Sequence, residues 1–167
     1  TISCQQAPKL DPNGPLKIVC TTGMIGDAVS NIVKENAEVV TLMGSGVDPH
    51  LYKATQGDLK HLSTADVIIY KGLHLEGKMG EVFEKLENRK TIIVAADGIP
   101  ESNLINNTDF HGAHDPHLWF DVVLWSEAIQ HIGNELALIN DSLKENIQQN
   151  TTSYLKELEE LNVSVIN

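Results

Sequence analysis

Long apolar runs, basic residues and the common nucleotide motifs are all scarce or missing in this sequence. None of its apolar runs approaches the roughly 20 residues that a membrane-spanning helix needs. Only 12 lysines and arginines stand against 23 aspartates and glutamates, so the formal charge is −11. A negative field of this kind disfavours nucleic acid and anionic membranes as partners. It suits a cation as ligand, although solubility alone also explains an acidic chain.

Two families of catalytic and binding motif are absent as well. The segment Gly44-Ser45-Gly46 lacks the third glycine of a dinucleotide fingerprint, and the chain contains no Gly-Lys-Ser/Thr phosphate loop. It also contains no Gly-x-Ser-x-Gly. Nucleotide binding and serine-based hydrolysis are therefore unsupported.

The chain has only two cysteines, Cys4 and Cys20. Cys20 lies in an apolar run and is expected to be a buried small hydrophobe. Cys4 follows Ser3 within residues 1–15, a stretch of proline, glycine and polar residues that predicts a flexible tether. A small residue before a cysteine and then a tether resembles the end of a bacterial lipoprotein signal. Two interpretations stay open for Cys4, a lipid anchor and an unpaired thiol.

Four short apolar segments alternate with amphipathic segments of helical period from residue 16 onward. Nearly continuous apolar strands separated by helices predict an α/β fold, a four-stranded parallel sheet with helices on both faces. We assign residues 16–140 to this lobe. The predicted strands are 16–21, 38–43, 66–71 and 91–95, and the predicted helices follow Thr22, Thr55, Gly72, Asp121 and Asp141.

The sequence Asp-Pro-His-Leu-aromatic occurs twice, at residues 48–52 and 115–119. Proline fixes its own φ and keeps the preceding residue extended, so each copy holds an imidazole on stiff backbone. Both copies leave the carboxyl end of a predicted strand, where parallel sheets bind ligands. Neutral imidazole is a common ligand of zinc, manganese and iron. We therefore predict that His50 and His117 are metal ligands, with coordinating atoms roughly 3–4 Å apart.

The other histidines have weaker contexts. His111 and His114 continue a spacing of three toward His117, which fits either a short metal-collecting tract or a loop that happens to contain histidine. His74 also follows a strand end, where it could be a metal ligand, an outer neighbour of the site or a loop residue without a role in the site. His61 and His131 lie on predicted helices and are expected to be surface or packing residues.

Three aspartates accompany the two motif copies. Asp48 and Asp115 precede the prolines, where they can hydrogen-bond the turn backbone or a metal-bound imidazole. Asp121 is expected to cap a helix, to accept a hydrogen bond from a group beside the metal site, or both.

Four motifs together resemble the metal-binding solute-binding proteins of bacterial zinc and manganese ABC transporters, the TroA-like group. The resemblance covers residues 16–167. It implies two α/β lobes joined by a long helix, with one metal between the lobes and His50 and His117 as the amino-terminal ligands. The cargo is then zinc, manganese or iron, delivered to an ABC membrane permease. The motifs are residues 21–29, 46–52, 72–76 and 115–122.

The same resemblance places residues 141–167 at the start of the linking helix. The chain is then expected to be the amino-terminal half of a receptor, located in the bacterial periplasm or at the cell surface. An apolar stripe on this helix is expected to be exposed and to support a fragment dimer. The stripe comprises Leu155, Leu158, Leu161 and Val165.

Two alternatives compete with a binding protein. A small α/β metallohydrolase needs an open metal position and a general base, and no clear base accompanies either Asp-Pro-His copy. A structural or adhesive surface domain would bind no metal specifically.

Overall fold

A computed structural model describes residues 14–106 and 113–166. Four strands form one parallel sheet in the order β2-β1-β3-β4, which confirms the predicted fold class. The predicted strand boundaries are right to within a residue or two. The strands are β1 (Leu16–Thr22), β2 (Ala37–Met43), β3 (Val67–Tyr70) and β4 (Thr91–Val94).

Helices connect the strands and complete the chain. Thr55 and Asp58 form a reciprocal capping box at the start of the second helix, as their spacing predicts. The predicted ten-residue helix after β3 is a 3₁₀ turn, Gly77–Met79, continued by a short α-helix. The α-helices are α1 (Gly23–Val33), α2 (Gln56–Thr64), α3 (Gly80–Leu86), α4 (Val122–Ile139) and α5 (Lys144–Ile166).

Apolar side chains from alternate strand positions bury both faces of the sheet. Ile18 and Cys20 of β1 pack in the larger core, with α1, α4 and α5. Val19 points the other way and packs with α2 and α3. Cys20 is buried as predicted, and burial raises the pKa of its thiol.

The two Asp-Pro-His segments leave opposite edges of the sheet. Residues 48–50 follow β2, one edge strand, and residues 115–117 follow β4, the other edge strand. Three strand spacings of about 4.8 Å separate these edges by roughly 14 Å. Both segments must therefore reach inward over the carboxyl ends of β1 and β3 for their imidazoles to meet.

The predicted exposed stripe of the last helix is only partly right. Leu158 is 8% exposed and Leu155 is half-buried, because α5 packs along α1 and α4 and adds these side chains to the larger core. Leu161 and Val165 are 49% and 68% exposed. No helix in the described residues has the length and apolar character that a membrane crossing requires.

Candidate metal site

The structure brings the imidazoles of His50 and His117 together at the carboxyl edge of the sheet. Their Nε2 atoms are 3.4 Å apart, and their ring planes are inclined at 57°. Two nitrogen ligands at about 2.05 Å from a tetrahedral zinc ion are themselves about 3.4 Å apart. The separation therefore matches what two ligands of a single metal ion require.

The Asp-Pro-His sequence makes the same turn in both places. In each copy the aspartate Oδ1 accepts a hydrogen bond of 2.9 Å from the histidine backbone N–H, at Asp48 and at Asp115. The proline between them has no N–H and a fixed φ, so the turn has little freedom. Each imidazole is thus carried on a locally closed turn, as the sequence predicts.

Asp115 makes a second contact that Asp48 does not make in the described structure. Its Oδ1 also lies 2.7 Å from Nδ1 of His117. The backbone N–H of His117, followed by its ring, lowers the pKa of the Asp115 carboxyl, so the carboxylate is charged at neutral pH. An Nδ1–H that donates to this carboxylate leaves the Nε2 lone pair of His117 facing His50.

Replacing Asp115 by Asn is expected to weaken zinc binding about tenfold, because the amide orients the ring less firmly and adds no charge. Asp48→Asn is the matched comparison, since Asp48 bonds the backbone but not the ring of its histidine. We expect Asp48→Asn to change the affinity much less. Calorimetric titration of both variants with zinc measures the difference, and equal losses would show that the carboxylate–imidazole contact has no special role.

A short 3₁₀ segment, Leu118–Phe120, follows His117 and packs against its ring. Trp119 meets the His117 ring nearly edge-on, with centroids 5.3 Å apart. Phe120 is largely exposed beside the same ring. Asp121 then caps α4 by accepting from the backbone N–H groups of its first turn, so its cap role is confirmed.

The remaining histidines lie outside this pair. His74 is exposed and lines a cavity of about 330 Å³ to which neither His50 nor His117 contributes. Half-buried His114 has its Nε2 4.0 Å from Oε1 of Glu101. His111 lies outside the described residues. Among the residues that the structure describes, no cluster of three or more histidine, cysteine or acidic side chains could hold a metal ion.

Sequence reasoning missed two buried charged residues beside the site, Lys71 and Glu76. Lys71 is 0% exposed, and its Nζ lies 4.8 Å above Trp119 and 4.1 Å above Trp125, without a hydrogen-bond partner in the described residues. Burial lowers the pKa of Lys71 to about 7, against the attraction of Glu76. The available sequence signal for a buried Lys71 was its position directly after an apolar strand.

Glu76 is 2% exposed and ties the turn after β3 to the sheet. Its carboxylate accepts from the hydroxyl of Thr21 at 2.7 Å and from the backbone N–H groups of Lys71 at 2.6 Å and Gly72 at 3.3 Å. Burial raises the pKa of Glu76, and these hydrogen bonds oppose the rise. The carboxylate belongs to the framework of the site, since its oxygens are used in hydrogen bonds to the turn and to β1.

Known proteins match nearly the whole chain. The family model for ZnuA, the periplasmic component A of a zinc-uptake complex, matches residues 18–166. The zinc-binding protein TroA of Treponema pallidum is 40% identical over 92% of this chain and 49% of its own length. The manganese-binding lipoprotein MntA of Bacillus subtilis is 40% identical over 87% of this chain and 47% of its own.

Solved structures agree with the sequence matches. The periplasmic zinc binding protein TroA from Treponema pallidum superposes with a TM-score of 0.86 at 41% identity, over 91% of this chain and 54% of that one. A manganese-bound periplasmic metal binding protein from Candidatus Liberibacter asiaticus gives a TM-score of 0.76 at 29% identity, over 85% and 52%. The chain spans about half the length of these relatives. It belongs to the ZnuA/TroA family of metal-binding substrate-binding proteins.

Proposed function

We propose that this chain captures a divalent transition metal, zinc, manganese or iron, through Nε2 of His50 and Nε2 of His117. The observation that carries the proposal is the 3.4 Å separation of these two atoms, which fits two ligands of one ion. The formal charge of −11 supports the proposal, because a negative field raises the local concentration of cations. The relatives' names report zinc or manganese binding.

We further propose that the whole protein delivers its metal to an ABC membrane permease from the periplasm or cell surface. A manganese ABC transporter substrate-binding lipoprotein, PsaA of Streptococcus pneumoniae, is 29% identical over 96% of this chain. Residues 16–140 then form the amino-terminal lobe, and α5 begins the helix that links it to a second lobe. The exposed apolar residues near the end of α5 support this assignment. Lipid anchoring through Cys4 and a dimer through α5 stay predictions.

Calorimetric titration of the chain with zinc and with manganese tests the proposal. We expect one metal per chain, with zinc bound more tightly than manganese, because nitrogen ligands favour zinc in the ordinary affinity order. Binding should be weak, since water must fill at least two coordination positions. It should also weaken as the pH falls, because protons compete with the metal for the imidazole nitrogens. Tight binding that ignores pH would exclude a site made of these two histidines.

The rival proposal, a metallohydrolase, predicts turnover. The Asp115 carboxylate accepts from the backbone N–H of His117 and contacts Nδ1 of its ring, and so is engaged in orientation. The matched relatives are named as binding proteins. Ester and phosphatase assays with added zinc or manganese distinguish the two, because only an enzyme gives turnover above that of a His50→Ala/His117→Ala variant.

A further inference from the structure

We infer that the turn from Lys71 to Gly77 positions both imidazoles of the proposed site. It acts on His50 through Gly77 and on His117 through Lys71 and Trp119. We call residues 71–77 the β3 exit turn. The inference rests on the proposed function, because the two imidazoles matter as a pair only if they share a metal ion.

The β3 exit turn occupies the place between the two histidine segments. It leaves β3, an inner strand, while the histidines arrive from β2 and β4 at opposite edges of the sheet. A rigid element at this place can hold both segments at a set distance.

The turn is held firmly. The buried Glu76 carboxylate binds it to Thr21 of β1 and to its own first two backbone N–H groups. Backbone bonds from Leu75 to Gly72 and from Gly77 to His74 close it further. Buried Leu75 adds an apolar anchor.

Gly77 lies directly against the backbone of His50. A Cβ on Gly77 would lie 2.5 Å from the His50 carbonyl oxygen and 3.3 Å from its carbonyl carbon. Those are backbone atoms, so the clash could be relieved only if the His50 segment or the turn moved. Gly77 also has a φ of +45°, which side chains with a Cβ seldom adopt. The absence of a side chain at position 77 thus lets His50 sit where its imidazole reaches His117.

Lys71 makes the corresponding contact on the other side. Its buried ammonium group lies over the rings of Trp119 and Trp125, and Trp119 in turn meets the His117 ring edge-on. A cation over an indole face is attracted to it, most strongly when both are shielded from water. Lys71 thereby holds Trp119 against α4, and Trp119 limits the directions open to the His117 ring.

The main test is Gly77→Ala, with Gly80→Ala as the matched control. Gly80 has nothing within 4 Å of its Cβ position and an ordinary helical φ of −51°. We expect Gly77→Ala to bind zinc at least about tenfold more weakly in calorimetry, and Gly80→Ala to bind like the wild type. With Co²⁺ in place of zinc, the visible spectrum of Gly77→Ala should also change, because the geometry of its nitrogen ligands changes.

Gly77→Asn separates displacement of His50 from backbone strain. Asparagine tolerates a left-handed φ better than alanine does, yet it carries the same Cβ. Positioning predicts that both variants lose zinc affinity, whereas strain alone predicts recovery in Gly77→Asn. Recovery would overturn the inference.

Lys71→Met tests the opposite side of the turn and serves if Gly77→Ala does not fold. We expect it to weaken zinc binding severalfold while the protein stays folded. Suppose that the wild type binds zinc. If Gly77→Ala binds zinc equally well, or if Lys71→Met does so where Gly77→Ala does not fold, this inference fails and the proposed function stands. If the wild-type chain binds no zinc, the proposed function fails, and this inference fails with it.

Discussion

The double variant His50→Ala/His117→Ala is expected to lose measurable zinc binding. Both Nε2 atoms that face the proposed ion are removed, and the described residues contain no cluster of three or more histidine, cysteine or acidic side chains that could replace them. Each single variant should keep one nitrogen ligand and bind far more weakly than the wild type. Because a ligand that binds only the folded state stabilises it, excess zinc should raise the wild-type free energy of unfolding. At a free zinc concentration 100 times Kd the gain is about 2.7 kcal/mol, and the double variant should show none of it.

The double variant His61→Ala/His131→Ala is the matched control. It removes the same number of imidazoles, but from α2 and α4 and away from the pair. We expect zinc to bind and stabilise it as it does the wild type. Zinc stabilisation that survives in His50→Ala/His117→Ala but disappears in the control would place metal binding on the helix surfaces.

The meeting of the two imidazoles could be predicted from sequence because it needs only two facts. Each Asp-Pro-His follows an apolar strand, and parallel strands present their carboxyl ends at one edge of the sheet. This prediction did not need the strand order β2-β1-β3-β4, although that order places the two Asp-Pro-His segments after opposite edge strands. The long connections after β2 and β4 have enough chain to span that gap. The coordination role of the pair stays a proposal.

The framework beneath the pair could not be predicted in the same way. Charged residues are rarely buried, so the sequence favours an exposed Lys71 and an exposed Glu76. Burial depends on tertiary contacts with Trp119, Trp125 and Thr21, which lie far away along the chain. Leu158 shows the reverse error. The apolar stripe of α5 predicts that its side chain is exposed, but α5 packs across α1 and α4 and buries it.

Lys71→Met is expected to stabilise the protein at neutral pH, by on the order of 1–3 kcal/mol in the free energy of unfolding. The wild type must take an ammonium group out of water without a hydrogen-bond partner in the described residues. Methionine fills a similar volume and needs no partner. The loss of two cation–indole contacts opposes the gain and limits its size.

The pH dependence of stability identifies the ammonium group as the cause. Burial lowers the pKa of Lys71 from 10.5 to about 7, so between these values the unfolded chain binds one more proton than the folded chain. Stability must then rise with pH: the cost of burial is complete below the folded pKa and disappears as pH approaches the unfolded value. From about pH 7 to about pH 8.5 the wild type should gain about 1.6 kcal/mol relative to Lys71→Met.

Urea unfolding of both proteins across this pH range, without metal, measures that gain. Glu76 is the charged group that acts on Lys71; burial raises the pKa of Glu76, and its hydrogen bonds to Lys71, Thr21 and Gly72 oppose the rise. Cys20 and Tyr52 have pKa values raised by burial and begin to oppose the trend above about pH 8.5, but they do so equally in both proteins.

Lys60→Met, on the exposed surface of α2, should follow the wild type throughout. If the stability of Lys71→Met changes with pH as the wild type's does, Lys71 keeps its proton over this range. The two indole faces and Glu76 would then outweigh the cost of desolvation.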